Sequence, residues 1–137
     1  MSRQHRASIR VAVTAALSAV VLAGCSSGNE DDVTQVAEQL HARLAEDDGL
    51  AACDLLADDV QEELAEAGGS SCAVAVAAAG IPDSGRVVDV HVYGTAAQVR
   101  YDDDVVFLAE LDDGWRVTAA GCTPEADRPY DCTIQGG

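Results

Sequence analysis

The chain has 137 residues, and its formal net charge of -16 comes from 24 acidic residues against eight basic ones. Such an acidic surface repels the polyanionic backbone of nucleic acids and gains nothing from anionic lipid headgroups, which excludes both as electrostatic partners. Apolar residues make up 48% of the chain, a content that argues against disorder and favours a folded domain.

The first 24 residues have the three-part layout of a secretory signal peptide. Arg3, Arg6 and Arg10 give a basic start. Residues 11–23 then supply 13 mostly apolar residues, fewer than the about 20 that a membrane-spanning helix needs. The pattern predicts removal of residues 1–24, which takes the net charge from -16 to -19 over the remaining 113 residues.

Leu22-Ala23-Gly24-Cys25 closes this segment and resembles the lipobox of bacterial lipoproteins in every position. The resemblance implies cleavage before Cys25, a diacylglyceryl group on its sulfur and acylation of the new N-terminus. Two or more acyl chains give a durable anchor, because each buried CH₂ adds about 0.8 kcal/mol. We expect a protein held by this lipid on the outer face of the cell membrane. An ordinary secreted protein with an incidental cysteine is the alternative.

With Cys25 committed to lipid, an even set of cysteines remains, and an even number in an exported domain indicates two disulfides. Of the three possible connectivities, Cys53–Cys72 and Cys122–Cys132 are favoured because each pair is close in sequence and flanks an apparent turn. Each bridge would stabilise the fold by about 3 kcal/mol. A zinc site is the alternative, but no Cys-x-x-Cys pair occurs, so we expect no metal and no cofactor.

Residues 25–32 are interpreted as the lipidated N-terminus and a polar linker, and residues 33–137 as one disulfide-bonded domain. Asp31 or Asp32 is expected to cap a first helix, and Gly49 to end it in the left-handed conformation. The helix itself is predicted by apolar residues at helical spacing. These residues are Val33, Val36, Ala37, Leu40 and Leu44.

Two further helical regions are predicted before the strands begin. Residues 50–67 form the first of them, which stops at Gly68-Gly69. Residues 72–80 are rich in alanine and valine and are preceded by two serines, which favours a helix over a buried strand. His41 lies at the edge of the first apolar stripe, a boundary position at which a histidine needs no functional role.

From Arg86 onward the apolar period changes to two, which is typical of strands. Gly94-Thr95 is predicted to form a two-residue hairpin loop, which sets Val90 opposite Val99, Val88 opposite Tyr101 and Asp89 opposite Arg100. Three-residue loops at residues 102–104 and 112–114 extend the pattern to a four-stranded antiparallel meander. In the predicted register Val99 faces Phe107, Ala97 faces Ala109, Leu111 faces Trp115, and Glu110 faces Arg116.

The predicted fold class is α+β, with N-terminal helices packed on one face of this four-stranded sheet. At this point the chain resembles small actinobacterial lipoproteins of the nuclear-transport-factor-like, or cystatin-like, superfamily. The matching segments are Ala52-Cys53-Asp54-Leu55-Leu56, Asp113-Gly114-Trp115-Arg116-Val117, Gly121-Cys122-Thr123-Pro124 and Pro129-Tyr130-Asp131-Cys132. The superfamily contains enzymes, binding modules and assembly domains, so the resemblance implies a fold and leaves the function open.

Enzymes of that superfamily, the ketosteroid isomerase and polyketide cyclase types, project acid-base groups from the sheet into a cone under the helices. On the predicted inward face of this chain only Tyr101 is polar, and it is interpreted either as a core tyrosine or as a pocket residue. Asp89, His91 and Arg100 share the other face, where they form either an anion-binding or proton-shuttling group or an ordinary solvated surface. The Asp102-Asp103-Asp104 triplet lacks the calcium-loop pattern and is interpreted as a hairpin loop with surplus charge.

No Gly-x-Ser-x-Gly, His-Glu-x-x-His or phosphate-binding glycine loop occurs in the sequence. The favoured function is a lipid-anchored extracytoplasmic binding or interaction module whose ligand the sequence does not identify. One alternative is an isomerase- or cyclase-like enzyme that uses Tyr101 with an acid from a helix, such as Asp48 or Asp54. A structural component of the cell envelope is the other.

Overall fold

The computed structural model describes residues 26–136, so the predicted leader and Cys25 lie outside the described residues. Within that range the chain is α+β, with four helices followed by an antiparallel sheet of five strands. The helices are α1 (Ser26–Ala45), α2 (Gly49–Cys53), α3 (Asp58–Gly68) and α4 (Cys72–Ala78), and the strands are β1 (Val87–Tyr93), β2 (Ala96–Tyr101), β3 (Val105–Leu111), β4 (Gly114–Thr123) and β5 (Asp131–Gln135).

Helix α1 is longer at its start than the sequence predicts. It begins at Ser26, so Asp31 and Asp32 lie inside the helix instead of capping it. The helix ends at Ala45, and the left-handed residue that follows is Asp47, with φ of 57°, rather than Gly49. Aspartate is one of the few residues with a Cβ that adopts this conformation readily, which is why the turn does not require glycine.

Gly49 instead allows two short helices to approach each other. It is the first residue of α2, and a Cβ at this position would lie 2.0 Å from the carbonyl oxygen of Ala73 in α4. The disulfide between Cys53 and Cys72 joins the same two helices, with their Cα atoms 6.0 Å apart. Gly49 and the disulfide that the sequence favours therefore lie at the same contact, the one between α2 and α4.

The second predicted helical region is two helices, α2 and α3, separated by residues 54–57. Within this break, the backbone N–H of Ala57 donates to Val117 and the backbone N–H of Val117 donates to Leu55. The break thus pairs with strand β4 instead of continuing the helix. The third predicted helix is confirmed as α4, and the Ser71 hydroxyl accepts a hydrogen bond from the backbone of Val74 at its start.

The sheet is a meander in the order β1-β2-β3-β4-β5, which corrects the predicted strand number from four to five. Strand β5 pairs with the end of β4, where Cys122 lies opposite Cys132 and forms the second disulfide. Only Ile134 of β5 is fully buried. With so few inward residues the strand shows no alternating pattern long enough to identify it from sequence.

The predicted hairpin of β1 and β2 is confirmed at its centre. Val90 lies opposite Val99, and Asp89 lies opposite Arg100. A bulge before Asp89 changes the far end, where Val87 takes the place opposite Tyr101 that the sequence predicts for Val88. Because a bulge reverses the side on which preceding residues point, Val88 is 53% exposed while Val87 packs against the core.

The predicted register of β3 is wrong by one residue, both in its pairing with β2 and in its pairing with β4. Val99 lies opposite Val106 rather than Phe107, and Ala97 lies opposite Leu108. On the next pair Glu110 lies opposite Trp115, because residues 112–113 form a two-residue loop. Successive side chains of a strand point to opposite faces, so a shift of one residue reverses which residues face the core. Val106 and Leu108 are therefore buried in the core.

The core is one cluster of buried apolar residues drawn from all four helices and from strands β2 to β5. Partly buried valines of β1 pack against it, and α1 contacts β1, β2 and β4. In the part of the chain that the structure describes, no helix is both long enough and apolar enough to cross a membrane.

Candidate ligand-binding cleft

A cleft of about 740 Å³ lies between the C-terminal half of α1 and the segment that leads into β1. Helix α1 contributes Glu38, His41 and Leu44 to its wall, and Tyr101 at the end of β2 also lines it. The opposite wall is formed by residues 81–87. The cleft therefore lies where one long helix, the entry to the sheet and the end of a central strand meet.

Tyr101 is the aromatic residue of this cleft. Its side chain is 5% exposed, and its hydroxyl has no hydrogen-bond partner among the described residues. Burial raises the pKa of the Tyr101 hydroxyl far above its ordinary value, and the negative charges of Glu38 and Asp104 raise it further. Tyr101 is therefore a neutral phenol at physiological pH, able both to donate and to accept a hydrogen bond.

His41 lies beside Tyr101, with the two ring centroids 4.8 Å apart in an edge-to-face arrangement. Its Nε2 atom is 3.3 Å from Oδ2 of Asp104, without the geometry of a hydrogen bond. His41 follows the fully buried Ala37 by four residues, and this spacing brings the imidazole to the core side of α1. The boundary histidine of the sequence is thus a residue of the cleft.

Asp104 is the buried carboxylate behind these two rings. Its Oδ1 atom accepts a hydrogen bond of 2.8 Å from the backbone of Cys122, and its carbonyl accepts one of 2.8 Å from the backbone of Tyr101. Its Oδ2 atom has no hydrogen-bond partner among the described residues. Because burying a charged group without partners is costly, such an atom marks a position where a further donor would stabilise the protein.

The other two aspartates of the triplet hold the opposite wall in place. The Asp102 carboxylate accepts a hydrogen bond of 3.1 Å from the backbone of Arg86 and lies 3.7 Å from its side-chain Nε. The backbone of Asp103 donates to the carbonyl of the buried Ser84. The triplet, predicted as a loop with surplus charge, therefore connects the β2–β3 loop to the cleft.

The predicted surface group on β1 and β2 is brought together on an exposed face of the sheet. His91 Nε2 lies 2.7 Å from Oδ2 of Asp89, and Arg100 lies 3.9 Å from the same oxygen. All three side chains are more than two-fifths exposed, so water screens these pairs and competes for the same atoms. None of the three lines the cleft.

The helix acids that the enzyme alternative requires also lie away from the cleft. The Asp48 side chain caps α2 by accepting a hydrogen bond from Ala51, and Asp54 is exposed. The carbonyl of Asp54 accepts a hydrogen bond from the side chain of Arg116, which also pairs with Asp113. The carboxylates near Tyr101 are those of Asp104 and Glu38 instead.

The site combines a neutral phenol, an imidazole and a buried carboxylate beside apolar side chains. Such a set can hold a polar group of a small molecule or transfer a proton. Among residues 26–136 no group of three or more His, Cys, Asp or Glu side chains is arranged to hold a metal ion.

Comparisons with protein families, with curated proteins and with solved structures find no match to this chain.

Proposed function

We propose that this chain is a lipid-anchored extracytoplasmic binding module whose cleft takes a small molecule. The observation that carries the proposal is the group of three buried polar atoms without hydrogen-bond partners, on His41, Tyr101 and Asp104. Native proteins satisfy nearly all buried polar atoms. His41 and Tyr101 line the cleft and Asp104 lies directly behind them, beside His41, so these atoms indicate a place where another molecule supplies partners.

The dimensions and chemistry of the cleft support the same function. Small-molecule sites typically have volumes of about 300–1,000 Å³ and combine apolar walls with a few polar groups that fix orientation. This cleft, of about 740 Å³, offers Leu44, Ile81 and Val87 as apolar wall residues and Tyr101 as a polar group. It is the space that forms when the helices cover one face of the sheet, an arrangement that the contacts of α1 with β1, β2 and β4 support.

The location rests on Cys25 and the segment before it. The lipobox resemblance implies attachment through lipid, and the net charge of -19 that remains without residues 1–24 gives the domain no affinity of its own for an anionic membrane. The proposed protein therefore remains beside the membrane only through its acyl chains. The two disulfides fit an oxidising compartment outside the cytoplasm.

Metabolic labelling of the full chain with a radioactive fatty acid tests the location. Wild type and a Ser26→Ala control should incorporate the label and appear in the membrane fraction, whereas Cys25→Ser should remain an unlabelled precursor. Labelling that persists in Cys25→Ser would refute attachment at this cysteine.

Native mass spectrometry of the full chain purified from its membrane tests the binding function. The expected result is a co-purifying small molecule whose occupancy falls in Tyr101→Phe, which lacks the unpartnered hydroxyl. Tyr93→Phe is the matched control, because Tyr93 is 66% exposed and lies outside the cleft. Equal occupancy in both variants would place the bound molecule elsewhere.

The pair formed by His41 and Asp104 favours a second candidate, an enzyme that moves a proton on the bound molecule. A carboxylate beside an imidazole orients the ring and stabilises its charged form, which suits general acid-base chemistry. Incubation of the protein and its co-purifying molecule in D₂O distinguishes the two. Exchange of a carbon-bound hydrogen that depends on His41 would support the enzyme, and its absence would leave the binding module.

A further inference from the structure

Two carboxylates line this cleft. Glu38 and Asp83 line it, and neither forms an ion pair within the described residues. One oxygen of Asp83 accepts a hydrogen bond from the backbone of Gly85. At the buried end, the hydroxyl oxygen of Tyr101 is an acceptor without a hydrogen-bond partner among the described residues.

The two basic side chains of the cleft do not offset these charges. Arg86 is 92% exposed, and its Nε lies 3.7 Å from the carboxylate of Asp102. The Nε2 atom of His41 faces Asp104. After these two pairings the charges of Glu38 and Asp83 remain, so the cleft is negative. The pKa of Tyr101 is raised in part by the charges of Glu38 and Asp104, which places negative potential at its hydroxyl.

Apolar side chains form the rest of the wall and set the kind of body that fits beside the acceptors. Leu44 projects from α1, and Ile81 and Val87 lie on the facing segment. All three are partly buried and pack against the core, so they present a fixed surface rather than a mobile rim. A short hydrocarbon chain gains by burial against such a surface, at about 25 cal/mol for each Å² removed from water.

We infer that the cleft binds a primary amine carried by a short apolar body, an assignment that rests on the proposed small-molecule binding function. An ammonium group has three N–H donors and no acceptor, which complements the acceptor atoms of Tyr101, Glu38 and Asp83 that line the cleft. The overall charge of -16 also attracts cations toward the protein and repels carboxylates. An exposed acidic surface alone would not select an amine, but the buried hydroxyl of Tyr101 in the cleft wall, which has no hydrogen-bond partner among the described residues, gives the ammonium group a specific position to bind.

Four probes with the same hydrocarbon chain test the assignment on the full chain in detergent micelles. They are butylammonium, butan-1-ol, butanoate and butyltrimethylammonium, and binding is followed by the methyl NMR signals of Leu44, Ile81 and Val87. We expect saturable shifts with butylammonium and binding of butan-1-ol about tenfold weaker, because the alcohol lacks charge-assisted hydrogen bonds. Butyltrimethylammonium should also bind more weakly than butylammonium, since it has the charge but no N–H donors. Butanoate should bind most weakly of the four.

Two variants separate the cleft from the general acidity of the surface. Glu38→Gln should weaken butylammonium binding, whereas Glu62→Gln, which removes the same charge from the exposed face of α3, should leave it nearly unchanged. Equal weakening in both variants would overturn the assignment, because it would show attraction by net charge alone.

The outcomes also separate this inference from the proposed function. Equal affinity for all four probes would overturn the amine assignment and leave a cleft for small molecules of another class. Shifts caused by butanoate alone would overturn it as well. If no probe moves the three methyl signals and no molecule co-purifies with the protein, both proposals fail together.

Discussion

Nε2 of His41 lies 3.3 Å from Oδ2 of Asp104, and this pair connects helix α1 to the loop between β2 and β3. The other carboxylate oxygen of Asp104 accepts the backbone N–H of Cys122 in β4. Three separate parts of the chain therefore meet at one buried carboxyl group. Its two oxygens have different roles, which makes their contributions separable by substitution.

The hydrogen bond to Cys122 is expected to contribute more to stability than the contact with His41. Asp104→Asn keeps an oxygen that can accept this bond, whereas Asp104→Ala leaves the buried N–H of Cys122 without a partner. We expect Asp104→Ala to lower the free energy of unfolding by about 1–3 kcal/mol and Asp104→Asn to lower it by less. Urea unfolding followed by Trp115 fluorescence measures both, with the exposed Asp103→Ala as control. Equal losses in the two Asp104 variants would contradict this division of roles.

The raised pKa of Tyr101 predicts a loss of stability at high pH. The neutral phenol is favoured in the folded protein, so its contribution to stability is fully present below the ordinary tyrosine pKa of about 10. As the pH rises above that value, tyrosinate forms in the unfolded chain first, and the contribution is lost progressively. Unfolding measured by denaturant across this alkaline range should show the loss in wild type and less of it in Tyr101→Phe.

An absorbance titration gives a direct readout of the same group. The chain has three tyrosines, and Tyr101→Phe should remove only a part of the tyrosinate absorbance change that appears above the ordinary tyrosine pKa of about 10 or on alkaline unfolding. If Tyr101→Phe instead removed absorbance change near that ordinary pKa, the raised pKa of Tyr101 would be refuted.

The part of the sheet that was predictable from sequence is the part fixed by a short turn. Gly94-Thr95 allows a two-residue loop, and the loop sets Val90 opposite Val99. Strand β3 has no such constraint, because Val105-Val106-Phe107-Leu108-Ala109 is apolar at every position and so gives no alternation to orient it. The register of β3 depends on loop lengths and on core packing, which the local pattern does not contain.

The orientation of β3 predicts which of two adjacent residues supports the core. Leu108 is 2% exposed inside the core, so Leu108→Ala should lower the free energy of unfolding by about 2–5 kcal/mol. Phe107 points to the other side, where its ring lies 5.0 Å from that of Tyr130 and is only partly buried. Despite its larger side chain, Phe107→Ala should therefore cost less. A greater loss for Phe107→Ala in the same denaturant experiment would favour the register predicted from sequence.

The site shows a similar division between what local sequence reveals and what it does not. Tyr101 was identifiable because it ends an alternating strand on the apolar face. His41 falls four residues after Ala37, a spacing that places it near the core, but the sequence does not show what it meets there. Asp104 is one of three identical neighbours, and its burial follows from a hydrogen bond to Cys122, 18 residues away. The places of His41 and Asp104 in the site therefore depend on contacts between distant segments, which the local sequence does not show.

Removal of the disulfide between Cys53 and Cys72 should lower the free energy of unfolding, because the bridge restricts the unfolded chain. Cys53 and Cys72 are separated by 19 residues, and a loop of this length stabilises a fold by about 3 kcal/mol in the chain-entropy model. The double variant Cys53→Ala with Cys72→Ala should show this loss in denaturant unfolding. Reduction of the wild-type protein is not an equivalent test, because it also opens Cys122–Cys132. No loss in the double variant would contradict a structural role for the bridge.

Gly49 lies at the contact between α2 and α4 that the same disulfide joins. In a helix without close neighbours, Gly→Ala stabilises by about 0.5–1 kcal/mol. Here the added Cβ would lie 2.0 Å from the backbone oxygen of Ala73, so Gly49→Ala should destabilise the fold, by about 1–3 kcal/mol. Leu50→Ala, at a neighbouring position that is 69% exposed, is the control and should change little.

A double-mutant cycle tests whether Cys53–Cys72 prevents α2 and α4 from moving apart to accommodate this side chain. If it does, Gly49→Ala should cost less in the background of Cys53→Ala with Cys72→Ala than in the wild type. Thermal or denaturant unfolding of the four proteins in the cycle measures the difference. The bridge and the glycine contact would be independent if the two losses simply add. A stabilising Gly49→Ala would mean that α2 and α4 do not approach each other this closely.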